Sequence, residues 1–216
     1  VLFRSLLARA GFLMSHDAGT GYLKHNQGLL ANGATNLYAK NQIGDVYEQL
    51  DDGARALDVR PKLLSNGTIV LHHGAVPIPV TLERLVTDAL RWARDNPDEL
   101  VLILHSNFAY PASSSAQDTD ESLSQVYSDI GVNYVECSDL YGLTVGEAME
   151  LAAVVSPYSS SDDNEQGGGK QKSGGYLLAL DRHDTYAGSC AKQNYVEPLV
   201  TCYSNDDSVL PCTNRK

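Results

Sequence analysis

The chain has 216 residues, 43% of them apolar, and a formal net charge of −11. That length and apolar content suit one sizeable core, so a single domain over 1–216 is expected. The acidic balance opposes a nucleic-acid partner and, without a cluster of Lys and Arg, docking on strongly anionic membranes; no apolar run reaches the ~18 residues that span a bilayer.

In chain order, Val1–Ser5 reads as foreign to the rest of the chain, and the natural N-terminus is expected to lie outside the sequence. Gly11–Asp17 (GFLMSHD) has the pattern of a short buried strand ending in polar residues. Gln42–Leu50 places Ile43, Val46, Tyr47 and Leu50 on one helical face, and Gly53 ends that helix. Ala56–Arg60 (ALDVR) alternates apolar and charged residues, as a strand does. Leu63–Leu71 forms two extended arms around Asn66-Gly67, a hairpin-turn dipeptide, and leads into His72-His73-Gly74. Thr81–Asn96 is a helix with an apolar stripe of Leu82, Leu85, Val86, Ala89, Leu90 and Ala93, capped by Thr81 and closed by Pro97. Leu100–Leu104 (LVLIL) is continuously apolar, as a strand covered on both faces must be.

Further along, Asp120–Ile130 is a weaker helix, and Thr144–Glu147 is a capping box opening a short one. Residues 159–175 are rich in Ser, Asp, Gly and Gln without periodicity, which predicts a mobile surface loop. Tyr176–Leu180 (YLLAL) is another buried strand. Four cysteines occur, Cys137, Cys190, Cys202 and Cys212, three of them in a tail over 190–212. No CxxC is present, so disulfides in a secreted or lumenal context are expected rather than zinc, with all three pairings open. Asn66-Gly67-Thr68 also matches the N-glycosylation sequon, which fits that context.

Strands alternating with helices indicate a parallel α/β sheet. Polar residues gather at the C-terminal ends of its strands: His16 and Asp17, Arg60, His105 and Ser106, Asp181 and Arg182. That is where a (β/α) barrel places its active site. Four or five parallel strands are countable against the eight of a closed barrel, so the expectation is a truncated barrel or an open sheet.

Two histidines follow predicted strands with charged company, His16 and His73, and Asp58 and Arg60 share one strand face between them. Two imidazoles of ordinary pKa near 6.5 can exchange protons at neutral pH, and an arginine offers phosphate a fixed charge and paired donors. This is a sufficient set for cleaving a phosphodiester.

Ser15–Thr20 (SHDAGT), Gly53–Arg60 (GARALDVR), Thr68–Gly74 (TIVLHHG) and Asn96–Glu99 (NPDE) resemble, in order and spacing across 11–107, the X-domain motifs of phosphatidylinositol-specific phospholipase C, in particular its bacterial, metal-independent branch. The resemblance implies a TIM-like barrel of the PLC-like phosphodiesterase type, cut to its N-terminal half. It implies His16 as general base on the inositol hydroxyl, His73 as general acid, Asp17 orienting His73, Arg60 on the phosphate, and Asp58 positioning Arg60 or the base. His72 is expected to face away. The metal-dependent branch carries an acidic residue at the Arg60 position and Asn at that of Asp17, so no calcium, metal or other cofactor is expected. The implied partner is a phospholipid head group at a membrane surface, approached by a secreted monomer.

Three departures stand out. The bacterial pattern has an inositol-binding lysine where this chain has Ser106, which becomes the substrate-binding candidate at that position. A late carboxylate that orients the base histidine has no recognisable counterpart. Arg182 matches a substrate-contacting arginine only loosely. The alternatives are a PLC-fold enzyme acting on a glycerophosphodiester, and a secreted binding protein without turnover.

Overall fold

Continuous apolar runs form the middle of one parallel sheet. The computed structural model describes residues 4–7, 10–23, 39–140, 142–154 and 174–182. The strands are β1 (Met14–Ser15), β2 (Ala56–Val59), β3 (Pro61–Leu63), β4 (Ile69–His73), β5 (Val76–Thr81), β6 (Leu100–His105), β7 (Asn133–Val135) and β8 (Tyr176–Arg182). The α-helices are α1 (Val46–Asp51), α2 (Leu82–Asp95), α3 (Ala116–Ile130) and α4 (Val145–Ala152). Five strands pair in the order β1-β2-β6-β8-β7, all parallel. A second, antiparallel sheet, β3-β4-β5, grows directly out of the end of β2. Because β8 lies between β6 and β7, the last two strands do not add in chain order.

The pleat explains the unbroken LVLIL run. Val101 and Ile103 point to the side covered by α1, α2 and α3, where they meet Leu57, Val59, Leu85, Ala89, Trp92, Leu123 and Leu177. Leu100, Leu102 and Leu104 point to the opposite side, with Ala56, Leu178, Leu180 and the α4 residues Val145, Ala148 and Met149. With both faces buried, no position in the strand can be polar until its C-terminal end. The helix starts follow their sequence signals: Thr81 accepts from the Arg84 N–H, and Thr144 and Glu147 complete a capping box.

Several elements differ from the sequence reading. Helix α1 begins at Val46, capped by Asp45 and Glu48, so Ile43 lies before it and is 97% exposed. Residues 76–81 form β5 despite Pro77 and Pro79, because β5 is an edge strand with both prolines facing outward. The helix predicted over 120–130 starts four residues earlier at a Ser115 capping box. The start of the described chain packs on the domain: the Ser5 carbonyl accepts from the Val145 N–H, the Leu7 N–H donates to the Leu143 carbonyl, and Leu7 is buried. The segment 159–173 and the tail 190–212 with Cys190, Cys202 and Cys212 lie outside the described residues, as does the Cys137 side chain.

Gly175 opens β8 at φ +88°, and a Cβ there would lie 2.1 Å from the Ala93 carbonyl oxygen. Gly175→Ala should therefore lower unfolding stability by about 2 kcal/mol or more, seen as a reduced denaturant midpoint. An unchanged midpoint would contradict the packing of α2 on β8.

Candidate active site

The sheet brings two carboxylates together at its C-terminal edge. β1 and β2 pair side by side, with Ser15 opposite Leu57, so Asp17 and Asp58 emerge next to each other. Both are buried. Asp17 adopts a left-handed conformation (φ 50°, ψ 48°), which a short polar side chain tolerates. That turn points its N–H at Asp58 Oδ2, 3.1 Å away, and its carbonyl at the Thr20 N–H and hydroxyl.

Three basic side chains surround the pair. Arg60 places Nε 2.5 Å from Asp17 Oδ1 and Nη2 3.3 Å from Asp58 Oδ2. His16 sits between the two acids, Nε2 3.1 Å from Asp17 Oδ2 and Nδ1 3.2 Å from Asp58 Oδ2. Arg60 Nη2 also lies 3.5 Å from His16 Nε2. His73, arriving from β4, puts Nε2 3.3 Å from Asp17 Oδ2 and Nδ1 3.1 Å from the Ala39 carbonyl oxygen. All five residues read from the sequence as catalytic candidates thus converge on one cluster. Arg60 is mostly buried, whereas the two imidazoles remain 29% and 27% exposed.

Ser106 also joins the cluster, by an unexpected route. Its buried hydroxyl donates to Asp58 Oδ1 at 2.7 Å. Arg182 ends β8 with its backbone paired to His105, and its side chain lies outside the described residues. His72 turns away, its ring nitrogens 2.9 and 2.8 Å from the carbonyl oxygens of Gly74 and Asn107. His105 is fully buried behind the site between the Leu180 carbonyl and the Tyr127 hydroxyl.

Sequence reasoning missed a belt of neutral polar groups. Asn41 donates its side-chain N–H to Asp17 Oδ2, Gln42 donates to the His16 carbonyl, and the backbone N–H groups of both reach Thr20 Oγ1. Gln49 donates to the carbonyls of Ala18 and Gly44 and accepts from Ser15. Gly44-Asp45 was the available signal. It marks the true helix start and leaves Asn41 and Gln42 ahead of the helix, free to reach the turn at Asp17.

The charges shape one another. Hydrogen bonds from His16 to Asp17 and Asp58, with their negative charge, outweigh partial burial and raise the imidazole to about 9. Burial by itself pushes the Asp58 carboxyl up. The hydrogen bond from His16, the Arg60 charge, the Ser106 hydroxyl and the Asp17 N–H together outweigh it and hold Asp58 well below the usual range. At neutral pH His16 is therefore a cation in the free protein, not the ring of ordinary pKa that the sequence suggested. His16, Asp17 and Asp58 could also offer three ligand atoms within 4.8 Å of one another. The Arg60 guanidinium, however, already lies against both carboxylates.

No family model matches the chain. A 71-residue stretch is 41% identical to an uncharacterized secreted protein of Arthroderma benhamiae, covering 32% of this chain and 16% of that one. A 113-residue stretch is 26% identical to 1-phosphatidylinositol phosphodiesterase of Staphylococcus aureus strain Newman, covering 52% of this chain and 34% of the relative. The fold matches a solved variant of S. aureus phosphatidylinositol-specific phospholipase C at TM-score 0.54 and 16% identity, over 84% of this chain and 51% of that structure. The chain resembles the phosphatidylinositol-specific phospholipase C family. It spans about a third of the length of the curated S. aureus relative and about half of the solved structure, so the five-stranded parallel sheet among its described residues corresponds to part of that structure's barrel.

Linkage gives the pH dependence its sign. His16 is raised above its unfolded value, so its stabilisation is complete below about 6.5 and is lost as pH rises through about 9. Asp58 is depressed, so its contribution is present above the ordinary carboxylate range and is lost as pH falls through its lowered folded value. NMR titration of the imidazole resonances should place His16 near 9 in the intact protein. In Asp58→Asn that midpoint should fall by about one unit or more. A wild-type midpoint near 6.5 would contradict the paired-carboxylate geometry.

Proposed function

We propose that this protein is a secreted phosphoric diester hydrolase of the phospholipase C type, which acts as a monomer on phosphatidylinositol-like lipid at a membrane surface without a metal cofactor. The observation that carries this reading is Arg60, locked between Asp17 and Asp58 and within 3.5 Å of His16. A guanidinium fixed there stabilises charge on the non-bridging phosphate oxygens, the role a bound cation would otherwise fill.

In the proposed reaction, neutral His16 takes the proton of the head-group hydroxyl beside the phosphate. The oxygen attacks phosphorus intramolecularly, so the step gains from proximity. The bond to the diacylglycerol oxygen breaks, and His73, held by Asp17, protonates that oxygen. Asp58 keeps His16 oriented through Nδ1, the part that a late carboxylate plays in the family pattern. Ser106 takes part through Asp58, which leaves the head group without the lysine contact of that pattern. That observation favours a second reading, in which the same base, acid and arginine serve a different head group such as a glycerophosphodiester.

Because His16 titrates near 9, roughly one ring in a hundred is neutral at pH 7. Diacylglycerol release from phosphatidylinositol vesicles in excess chelator should need neutral base and protonated acid together, and should give a bell-shaped pH–rate profile that falls at low pH as His16 is protonated and at high pH as the general acid is lost. His16→Ala, His73→Ala and Arg60→Ala should each lower the rate by about 10²–10⁴-fold with the fold retained. Turnover that appears only on adding a divalent cation would defeat the metal-independent reading. Absence of any phosphodiester cleavage by the folded chain would leave a binding protein.

A further inference from the structure

Asn66-Gly67-Thr68 is the one Asn-X-Ser/Thr sequence in the 216 residues in which X is not proline. It sits where an enzyme acting on the chain from outside could reach it. Ser65, Asn66 and Gly67 are all exposed and form the tip of the hairpin joining β3 and β4. The tip is closed by backbone hydrogen bonds from Leu64 to Thr68 and from Gly67 to Leu64, with Gly67 at φ +84°. The Asn66 side-chain carbonyl accepts the Thr68 N–H at 3.0 Å, folding the sequon into an Asx turn. In that turn the amide oxygen is engaged, and among the described residues nothing accepts from Nδ2. The nitrogen that would be modified therefore stands at the surface beside the threonine that the sequon requires.

We infer that Asn66 is an N-glycosylation site carrying an oligosaccharide added in the secretory pathway. The co-reactant is a polyisoprenoid diphosphate-linked oligosaccharide. Nδ2 forms a bond to the anomeric carbon, the bond from that carbon to the diphosphate oxygen breaks, the amide loses one proton, and the polyisoprenoid diphosphate leaves. The inference rests on the extracellular reading but not on the proposed catalysis.

The position is compatible with an open active site. Arg60 precedes β3 and His73 ends β4, so both stand at the base of the hairpin, whereas Asn66 is at its tip. Thr68 and His73 are five positions apart, roughly 16 Å along the chain. The sugar would hydrate an exposed turn without filling the cluster around Asp17 and Asp58.

The test is to express the full chain behind a secretory leader in a eukaryotic host and recover it from the lumen or medium. Treatment with a peptide-releasing N-glycosidase should lower its apparent mass and convert Asn66 to aspartate in the tryptic peptide. Asn66→Gln and Thr68→Val, recovered from the same compartment, should show neither change. Thr68→Ser should keep the modification. Recovered wild-type chain with an intact, sugar-free Asn66 amide would overturn the inference. Modified chain that hydrolyses no phosphodiester would leave it standing and count only against the catalytic proposal.

Discussion

Two buried carboxylates hold the candidate site together. Asp17 and Asp58 receive Arg60, His16 and His73, the Ser106 hydroxyl, the Asn41 amide and one backbone N–H between them. Burying a carboxylate is costly unless a cation lies against it, and Arg60 and His16 each lie against both acids while His73 lies against Asp17. The arrangement depends on the parallel pairing of β1 with β2, which delivers the two acids side by side. It depends equally on the antiparallel hairpin that turns back from Arg60 and returns with His73.

The same pairing sets the chemistry that the cluster can perform. Carboxylates at both ring nitrogens make His16 a strong base that is seldom free at neutral pH. A substrate phosphate bringing its own negative charge to Arg60 would compete with Asp17 for the guanidinium and alter that balance at the moment of binding. The cluster is thus charge-compensated as it stands, with Arg60 and His16 already paired to the two acids.

Much of this is legible in the chain because each residue sits at a strand end, where an apolar run gives way to polar side chains. His16, Asp17, Asp58, Arg60 and His73 can be picked out by that rule and by the ordered motifs, and the structure places them in contact. The raised His16 value is not legible, since it depends on two acids distant in sequence or turned by a left-handed residue. Ser106 reads as a substrate contact because a linear motif cannot show that its hydroxyl turns inward to Asp58. Apolar spacing that counts Ile43 as buried draws Gln42 into a helix and hides its neighbour Asn41, whereas the Asp45 cap starts the helix later. The edge strand β5 is hidden by prolines that only an unpaired outer edge accommodates.

The fold similarity extends over about half of the solved phospholipase C structure, and the clustered His, Arg and Asp residues all lie among the described residues of this chain. Whether that set performs intramolecular attack is open to one direct observation. Phosphorus-31 NMR of phosphatidylinositol turning over with the folded chain in chelator should show a five-membered cyclic phosphodiester as the first product. First appearance of an open-chain phosphomonoester carrying solvent oxygen would mean that water, not the neighbouring hydroxyl, attacks, and would contradict the account.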